Sequence, residues 1–363
     1  MPGPSCIRGK LVNQALTCGK LADADLDERV REVLKLVKRV EPLGLPENAP
    51  EIAMDSKETA ALLRTLAASS MVLMKNERNL LPLKKDKTVS EAFDIASITG
   101  SPCLLTSLLK VAVIGPNAKI AAYCGGGSAF VLPYYTITPF EGIKAQAKDV
   151  KYALGATAYK KLPFLSYLTK TKSGEPGMTM KVYLDPPSGK DREQIDEVHI
   201  RTTEIRLAEY QHPRLPANHL YYLVLEAQFT PDETDIYQFS VSVAGTAKLF
   251  VDGNLVVDNE TKQVMGQFFF GSGTREEFGE MKLQKGETYN VSVMVRTLPT
   301  MPLRSPGATA MGAGGVRVGG TRKTDPTIEL RKAVELAKEV DQVVVCAGLN
   351  VSFASLSDSR GYL

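Results

Sequence analysis

Two short apolar runs, far apart in the chain, most constrain its fold. The first, VAVIGPNA at residues 111–118, is closed by Gly115 and Pro116, the pattern of a strand covered on both faces in a mostly parallel sheet. The second, VDQVVVCAGLN at residues 340–350, follows apolar residues at helical spacing from Leu330 to Val340, which predicts a helix leading into another buried strand. We therefore expect both runs to belong to one α/β domain, with a crossover after the first.

The sequence between these runs has a different periodicity. Apolar residues alternate with polar ones in YQFSVSV at residues 237–243 and in YNVSVMV at residues 289–295, which predicts half-buried strands. Asp252 and Gly253 lie between two strand-like runs, and this dipeptide favours a tight hairpin turn. An antiparallel β-sandwich is therefore predicted as an insertion into the α/β domain.

Two helices are predicted near the start of the chain. Leu26, Val30, Val33, Leu34 and Val37 recur at helical spacing, with acidic residues early and basic residues late, as the helix dipole favours. A stretch rich in proline follows and is interpreted as a linker. A second helix is predicted over residues 59–70, capped by Asp55 together with Glu58.

Composition and charge exclude some classes of partner. The 363 residues include 44 basic and 41 acidic side chains, for a net charge of +3, and no dense Lys/Arg tract suggests nucleic acid or an anionic membrane. We expect no membrane span and find no export signal in this chain. The 5 cysteines are odd in number and widely spaced, so no disulfide framework is predicted.

Three motifs in order resemble a known enzyme family. They are MVLMKNERNLLPLK at residues 71–84, VAVIGPNA, and CGGGSAFVLPYYTITPFEGI at residues 124–143. Together they resemble the second domain of glycoside hydrolase family 3, the fungal β-glucosidases in particular. The segment YQFSVSVAGTAKLFVDGNLVVDN, within residues 183–297, is similar to the protective-antigen-type module that some of these enzymes carry as an insertion.

The resemblance implies a fold class and a division into domains. We expect an α/β fold in which the α/β sandwich domain of the family carries an inserted antiparallel β-sandwich, preceded by the last helix of a truncated (β/α)8 barrel. Residues 1–52 would be the barrel remnant and linker, and residues 53–162 the first part of the α/β domain. Residues 163–320 would be the inserted sandwich, and residues 321–363 the second part of the α/β domain with an aberrant tail.

The resemblance also implies a reaction that this chain is not equipped to perform. Retaining glycosidases use two carboxyl groups about 5 Å apart, one as nucleophile and one as acid/base. In the family the nucleophilic aspartate belongs to a motif expected upstream of Met1, and the acid/base glutamate belongs to a motif that follows a Gly-Leu strand end. Here Leu356 occupies the acid/base position, and a leucine carries no proton. We therefore expect this chain to be catalytically defective.

Two segments depart from the family pattern. Residues 89–110 lie between LPLKKDKT and VAVIGPNA, which adjoin one another in the relatives that this sequence resembles, and residues 351–363 replace the acid/base motif. Both begin with Val-Ser, which an intron donor site can encode in frame, so our hypothesis is that residues 89–110 derive from a retained intron. The alternative is a natural surface insertion with a diverged tail.

Two groups of residues are candidates for substrate binding. Ser128 follows a triple glycine that permits close backbone approach, and by resemblance this loop reaches the active-site mouth; a tight crossover is the equally weighted alternative. Phe268, Phe269 and Phe270 would lie on a loop of the inserted module, where an aromatic ring could stack on a sugar. Packing in the sandwich core is the alternative that aromatic residues more often fulfil. No cofactor is expected.

Other polar or glycine-rich features are interpreted as structural. His199, His212 and His219 have no acidic or cysteine companions at ligand spacing, so no metal site is predicted. Turn chemistry explains Asp252 and Asn254. Residues 312–320, GAGGVRVGG, fail the spacing of a dinucleotide fingerprint and are interpreted as a flexible return to the α/β domain.

The sequence favours a β-glucosidase that hydrolyses terminal β-D-glucosyl residues with retention in its complete form, acting on a β-glucoside or oligosaccharide. A β-xyloside preference stays open, as does a homo-oligomeric state. Secretion is implied only by resemblance. The alternatives are a non-catalytic carbohydrate-binding or adhesion fragment, and the product of a defective gene that has no role. Asn259, Asn290 and Asn350 begin glycosylation sequons, which matter only in a secreted protein.

Overall fold

The structure is a computed structural model. The structure describes residues 9–44, 52, 55–83, 109–124, 131–188, 192–207, 210–215, 220–297 and 314–348. The chain forms two compact units, Met1–Lys75 and Asn76–Leu363.

The first unit is helical in its described part. Its helices are α1 (Gly9–Thr17), α2 (Asp23–Val40) and α3 (Lys57–Ser69). Helix α2 begins with Asp23 and Asp25 and ends with Lys38 and Arg39, as the sequence predicted, and its apolar residues Val33 and Leu34 are 62% and 59% exposed.

The predicted cap of α3 was wrong by one residue. The N-cap is Ser56, whose hydroxyl accepts a hydrogen bond from the Thr59 backbone N–H at 3.1 Å. Asp55 precedes the cap. A serine hydroxyl satisfies an otherwise unpaired N–H group of the first helical turn as well as a carboxylate does, so the capping residue could not be chosen from composition alone.

In its described part, the second unit contains a parallel sheet, a β-sandwich and three α-helices. The helices are α4 (Pro139–Lys144), α5 (Phe268–Gly271) and α6 (Pro326–Lys338). The strands are β1 (Lys110–Ile114), β2 (Asp149–Ala153), β3 (Thr169–Lys170), β4 (Met178–Tyr183), β5 (Gln194–Ile200), β6 (Glu204–Arg206), β7 (Tyr222–Phe229), β8 (Asp235–Ala244), β9 (Thr246–Val251), β10 (Asn254–Asn259), β11 (Glu277–Leu283), β12 (Tyr289–Arg296), β13 (Gly315–Arg322) and β14 (Gln342–Val345).

The two apolar runs identified in the sequence join in one parallel sheet. Its order is β14-β1-β2, and Val113 of β1 pairs with Val344 and with Tyr152. Val111 and Val113 pack on the side of Phe140 of α4, whereas the intervening Ala112 packs on the opposite face. The α/β interpretation of the two runs is therefore confirmed, and β1 is buried on both faces as predicted.

The prediction that the second run is buried was wrong. Strand β14 alternates between half-buried and exposed residues, and Val343 and Val345 are 40% and 64% exposed. Within the described residues β14 pairs only with β1, so it is an edge strand there. An apolar sequence reports β propensity, but burial depends on which neighbours a strand has.

Two antiparallel sheets form the sandwich. One has the order β10-β9-β12-β7-β4-β5, with β3 beside β7, and the other has the order β11-β8-β13-β6. Their inner faces share one apolar core, which includes Leu225, Leu249 and Val293 from the first sheet and Phe239 and Val241 from the second. The fold class, an α/β domain with an inserted antiparallel β-sandwich, is confirmed.

The predicted hairpin turn is also confirmed. Strands β9 and β10 are joined by Asp252 and Gly253, with φ of 46° and 78°. Both residues lie in the left-handed region that a two-residue turn of this type requires, which glycine adopts freely and aspartate tolerates. The Asp252 carboxylate accepts a hydrogen bond from the Asn290 N–H at 2.7 Å, which ties the turn to β12.

Strand β8 is more deeply buried than its alternation predicted. Ser240 and Ser242, on the face expected to be polar and solvated, are 0% and 1% exposed. The segment that follows β10 covers this face, because the Asn259 side chain donates to the Val241 carbonyl at 2.8 Å and Thr274 Oγ1 accepts from the Val243 N–H at 3.1 Å. Asn259 is itself fully buried, which makes its sequon inaccessible in the folded protein.

The glycine-rich segment at residues 312–320 is not a flexible return. From Gly315 onward it forms β13, which pairs with β8 along eight residues and with β6. Gly319 and Gly320 lie under Leu162 and Leu165, where a Cβ atom would come within 2.7 Å of Leu162 Cβ and 2.5 Å of Leu165 Cδ1. The glycines serve close packing, and glycine inside a strand is one known sign of such an approach.

The proposed insert at residues 89–110 is described only at its end. Lys110 begins β1 and pairs with Asp149, and Leu109 is buried in the core cluster that also contains Val111 and Val113. Residues 89–108 lie outside the described part of the chain. Among the described helices, none combines the length and the apolar character needed to cross a bilayer.

Candidate functional site

The segment that carries the three phenylalanines is a compact excursion between β10 and β11. It closes on itself, because the Gly266 N–H donates to the Gly273 carbonyl at 2.9 Å and the Gly273 N–H donates to the Phe268 carbonyl at 3.0 Å. Helix α5, at the tip of the excursion, is a single turn. The Phe268 side chain is only 8% exposed and packs against Ala244.

A cation covers the ring of Phe268. The Lys161 ammonium lies 4.0 Å from the ring centroid, a distance at which the ring quadrupole attracts a cation. Phe268 therefore packs as part of the protein interior in this structure. The side chains of Phe269 and Phe270 lie outside the described part, and a sugar contact by any of the three stays a prediction.

A buried arginine fixes the base of this segment. Arg317 of β13 is 2% exposed and donates to Glu276 Oε1 at 3.1 Å and to the Leu162 carbonyl at 2.6 Å. Its guanidinium also lies 4.9 Å from the Phe164 ring centroid and 5.7 Å from that of Phe268. Burial lowers the pKa of Arg317, and Glu276 opposes that shift.

Glu276 connects three parts of the sandwich. Its Oε1 atom accepts hydrogen bonds from Ser240 Oγ at 2.6 Å and from the Leu162 N–H at 3.2 Å, in addition to the one from Arg317. Strand β8, strand β13 and the chain entering the sandwich thus meet at one carboxylate. Buried charges are tolerated when they are paired and hydrogen-bonded in this way.

Both flanks of the glycine segment that contains Ser128 contact the beginning of the sandwich. The Tyr123 and Tyr167 hydroxyl groups interact with each other, and the Arg201 guanidinium donates to the Tyr134 carbonyl at 3.3 Å. Burial raises the pKa of Tyr167 to about 12, so its hydroxyl keeps its proton at neutral pH. Ser128 itself lies outside the described residues, as does Leu356.

The histidines make ordinary structural contacts where they are described. A ring nitrogen of His199 lies 2.9 Å from the Pro176 carbonyl oxygen, and His212 accepts from the Arg214 N–H at 3.2 Å. His219 lies outside the described part. Among the described residues, no group of three histidine, cysteine, aspartate or glutamate side chains is placed to hold a metal ion.

Sequence reasoning missed Arg317, Glu276, Tyr167 and Arg201. The signal for Arg317 was present: a single charge in GVRVGG, flanked by small and apolar residues, is unusual for a solvated loop. The other three carry no local signal, because the partners named above lie 36 or more positions away in the sequence.

Comparisons with known proteins agree with this architecture. The PA14 domain family matches residues 174–301, a range that includes strands β4 to β12 of the β-sandwich. The probable β-glucosidase I of Neosartorya fischeri is 44% identical over 364 aligned residues, and that of Emericella nidulans is 45% identical over 363. The alignments cover 100% of this chain.

The chain is a homologue of the fungal β-glucosidases and carries a PA14 domain. A solved structure, the β-glucosidase of Kluyveromyces marxianus in complex with glucose, is 32% identical, with a TM-score of 0.79 over 98% of this chain. The resemblance to glycoside hydrolase family 3 with an inserted protective-antigen-type module is thereby confirmed. This PA14-containing β-glucosidase homologue spans 41% and 40% of the lengths of the two fungal relatives and 41% of the solved chain.

Proposed function

We propose that the protein represented by this chain is a retaining β-glucosidase that hydrolyses terminal non-reducing β-D-glucosyl residues without a cofactor. The observation that carries the proposal is the identity of 44% along the whole chain to a probable β-glucosidase. The identity runs through the parallel sheet as well as the sandwich, so it is not a match to a widespread module alone. The relative crystallised with glucose supports a glucoside as the substrate.

The 363 residues by themselves are proposed to lack hydrolytic activity. Retention needs a nucleophilic carboxylate and an acid/base carboxyl group about 5 Å apart, because the transition state is oxocarbenium-like. Leu356 stands where the resemblance places the acid/base. The role of this part of the protein is then to complete and shape a sugar site, with Ser128 and a phenylalanine of residues 268–270 as proposed substrate contacts.

The contacts around the glycine segment support this role. Tyr123 and Tyr134 flank that segment; Tyr123 interacts with Tyr167, and the Tyr134 carbonyl accepts a hydrogen bond from Arg201. Flanks held in this way would limit where a short loop can lie, and preorganised loops are how binding energy is used for orientation. We propose that these two contacts help to place Ser128.

A chromogenic β-glucoside assay tests the proposal. The purified 363-residue chain should show no turnover above a mock purification. A longer protein that adds the segments found in the relatives, and in which the family's acid/base motif replaces residues 351–363, should hydrolyse the β-glucoside. In that longer protein, Ser128→Ala should raise KM. Turnover by the 363-residue chain would refute the proposed defect, and failure of the longer protein on β-glucosides would refute the substrate.

The second candidate, a non-catalytic carbohydrate-binding fragment, is favoured by one observation, the PA14 domain at residues 174–301. Saturable glycan binding by the chain would support this candidate, provided that the longer protein also fails to hydrolyse any β-glucoside.

A further inference from the structure

A cleft lies where the sandwich joins the α/β domain. It has a volume of about 500 Å³ and is formed by the end of β2, the loop that follows β7, the end of β13, and α6. Ala153, Leu154 and Leu336 supply apolar surface. Ligand sites commonly have volumes of roughly 300–1,000 Å³ and occur at domain junctions. The polar side chains that line it are Lys151, Tyr152, Glu233, Arg322, Glu329 and Lys332.

A buried carboxylate lies at the centre of these polar groups. Glu329 is only 6% exposed, and its Oε1 atom receives both Lys332 Nζ at 2.8 Å and an Arg322 nitrogen at 3.4 Å. Both contacts end on the same oxygen, so Oε2 keeps its capacity to accept. A carboxylate offers about four acceptor positions, and a buried one retains a strong preference to fill them.

The cations that line the cleft are all paired with carboxylates. Arg322 is paired with Glu233 and with Glu329, and Lys332 is paired with Glu329. Lys151 lies 3.7 Å from Glu339, beside the cleft. Each of the three cations that line the cleft is therefore paired with at least one carboxylate. A charged ligand would be repelled by one set as strongly as it is attracted by the other, so the lining favours a neutral molecule.

Tyr152 adds a hydroxyl group that can both donate and accept. Burial raises the pKa of Tyr152 to about 12, so the phenol keeps its proton at neutral pH. Its ring lies 4.3 Å from the Lys119 ammonium, measured to the centroid, and edge-on to Phe140 at 5.9 Å.

We propose that this cleft binds a neutral polyhydroxylated ligand, a monosaccharide or a terminal sugar unit. Sugar hydroxyls both donate and accept, and the cleft presents acceptors at Glu329 and Glu233, donors at Arg322 and Lys332, and a group of both kinds at Tyr152. The ligand would insert between the sandwich and α6. The inference is independent of the β-glucosidase assignment, because it uses only the groups in the cleft.

The test is a titration of the full chain with D-glucose and methyl β-D-glucopyranoside, in which binding is measured by saturation-transfer difference NMR. D-glucuronate and D-glucosamine serve as charged analogues. The neutral sugars should bind saturably and more tightly than either analogue. Tyr152→Phe, which removes only the hydroxyl, and Glu329→Gln, which weakens one acceptor, should each reduce the affinity about five- to tenfold.

Matched variants distinguish the cleft from other surfaces. Tyr135→Phe removes a hydroxyl from an exposed tyrosine, and Lys338→Gln removes an exposed charge from the same helix; neither should change the affinity. Circular dichroism establishes that each variant is folded, and Tyr152→Phe suffices if Glu329→Gln is not. Three results would each overturn the proposal: no binding of the neutral sugars, an affinity in both cleft variants equal to that of the unchanged chain, or tighter binding of a charged analogue. Hydrolysis assays remain a separate test of the enzyme assignment.

Discussion

Replacement of Arg317 by methionine should be among the most destabilising single changes in the sandwich. The substitution removes the donors to the Leu162 carbonyl at 2.6 Å and to Glu276 at 3.1 Å, and a contact of 3.6 Å with Glu204. The Glu276 side chain, 9% exposed, would then be a buried charge without its cation. Breaking a buried pair from one side costs about 3–5 kcal/mol, much of it from the charge left behind.

The assay is urea unfolding monitored by tyrosine fluorescence, which tryptophan emission does not mask because the chain contains no tryptophan. Arg317→Met should lower the free energy of unfolding of the second unit by about 3–5 kcal/mol. Arg317→Met combined with Glu276→Leu should cost clearly less than the sum of the single changes, because the double variant leaves no orphaned charge. Arg214→Gln removes an exposed bidentate partner of Glu193 and should leave the midpoint unchanged.

Two results would refute this reasoning. A loss below about 1 kcal/mol for Arg317→Met would mean that water or a rearranged side chain solvates Glu276 without penalty. Strict additivity of the two changes would mean that the arginine and the glutamate stabilise the sandwich independently and that their juxtaposition contributes little.

Three further changes test other parts of the structure. Gly319→Ala should destabilise the sandwich by about 1–3 kcal/mol in urea unfolding, because its Cβ would lie 2.7 Å from that of Leu162; a neutral result would show that the entry segment moves freely. Ser56→Ala should destabilise α3 by about 1 kcal/mol, seen as faster amide exchange over residues 57–69, whereas Asp55→Ala should have no effect. Faster exchange in Asp55→Ala than in Ser56→Ala would instead support Asp55 as the capping residue. Hydrogen bonds from the following turn lower the pKa of Asp258 from 3.8 to about 2, so its contribution to stability is complete above pH 4 and is lost as the pH falls toward 2; Asp258→Asn should flatten the acid limb of the stability profile, and an unchanged limb would contradict it.

Local sequence chemistry was sufficient where one segment sets its own conformation. Asp252 and Gly253 determine a hairpin because positive φ is needed at two adjacent residues. The run that forms β1 predicted a doubly covered parallel strand because nothing but apolar residues occupies its centre. In both cases the information lies within a few residues, and the structure agrees.

Sequence chemistry was insufficient where burial depends on distant segments. Ser240 and Ser242 alternate with apolar residues as a solvated face would, yet the chain after β10 covers them. Val343 and Val345 have the composition of a buried strand, yet β14 lies at the edge of the described sheet. The cleft is a stronger case, since Tyr152, Glu233 and Glu329 meet only because three elements converge.

The glycines of β13 explain how a whole sandwich can interrupt an α/β domain. An inserted domain must begin and end at neighbouring points if its host is to remain folded. Here the Gly320 N–H donates to the Pro163 carbonyl at 2.9 Å, and Phe164 pairs with Gly319, so the chain entering the sandwich lies directly on the strand that leaves it. Side chains at Gly319 and Gly320 would hold these two segments apart. Arg317 then ties the entering chain to β13 through the Leu162 carbonyl, which makes the junction between the two domains a packed structure and places the cleft at its border.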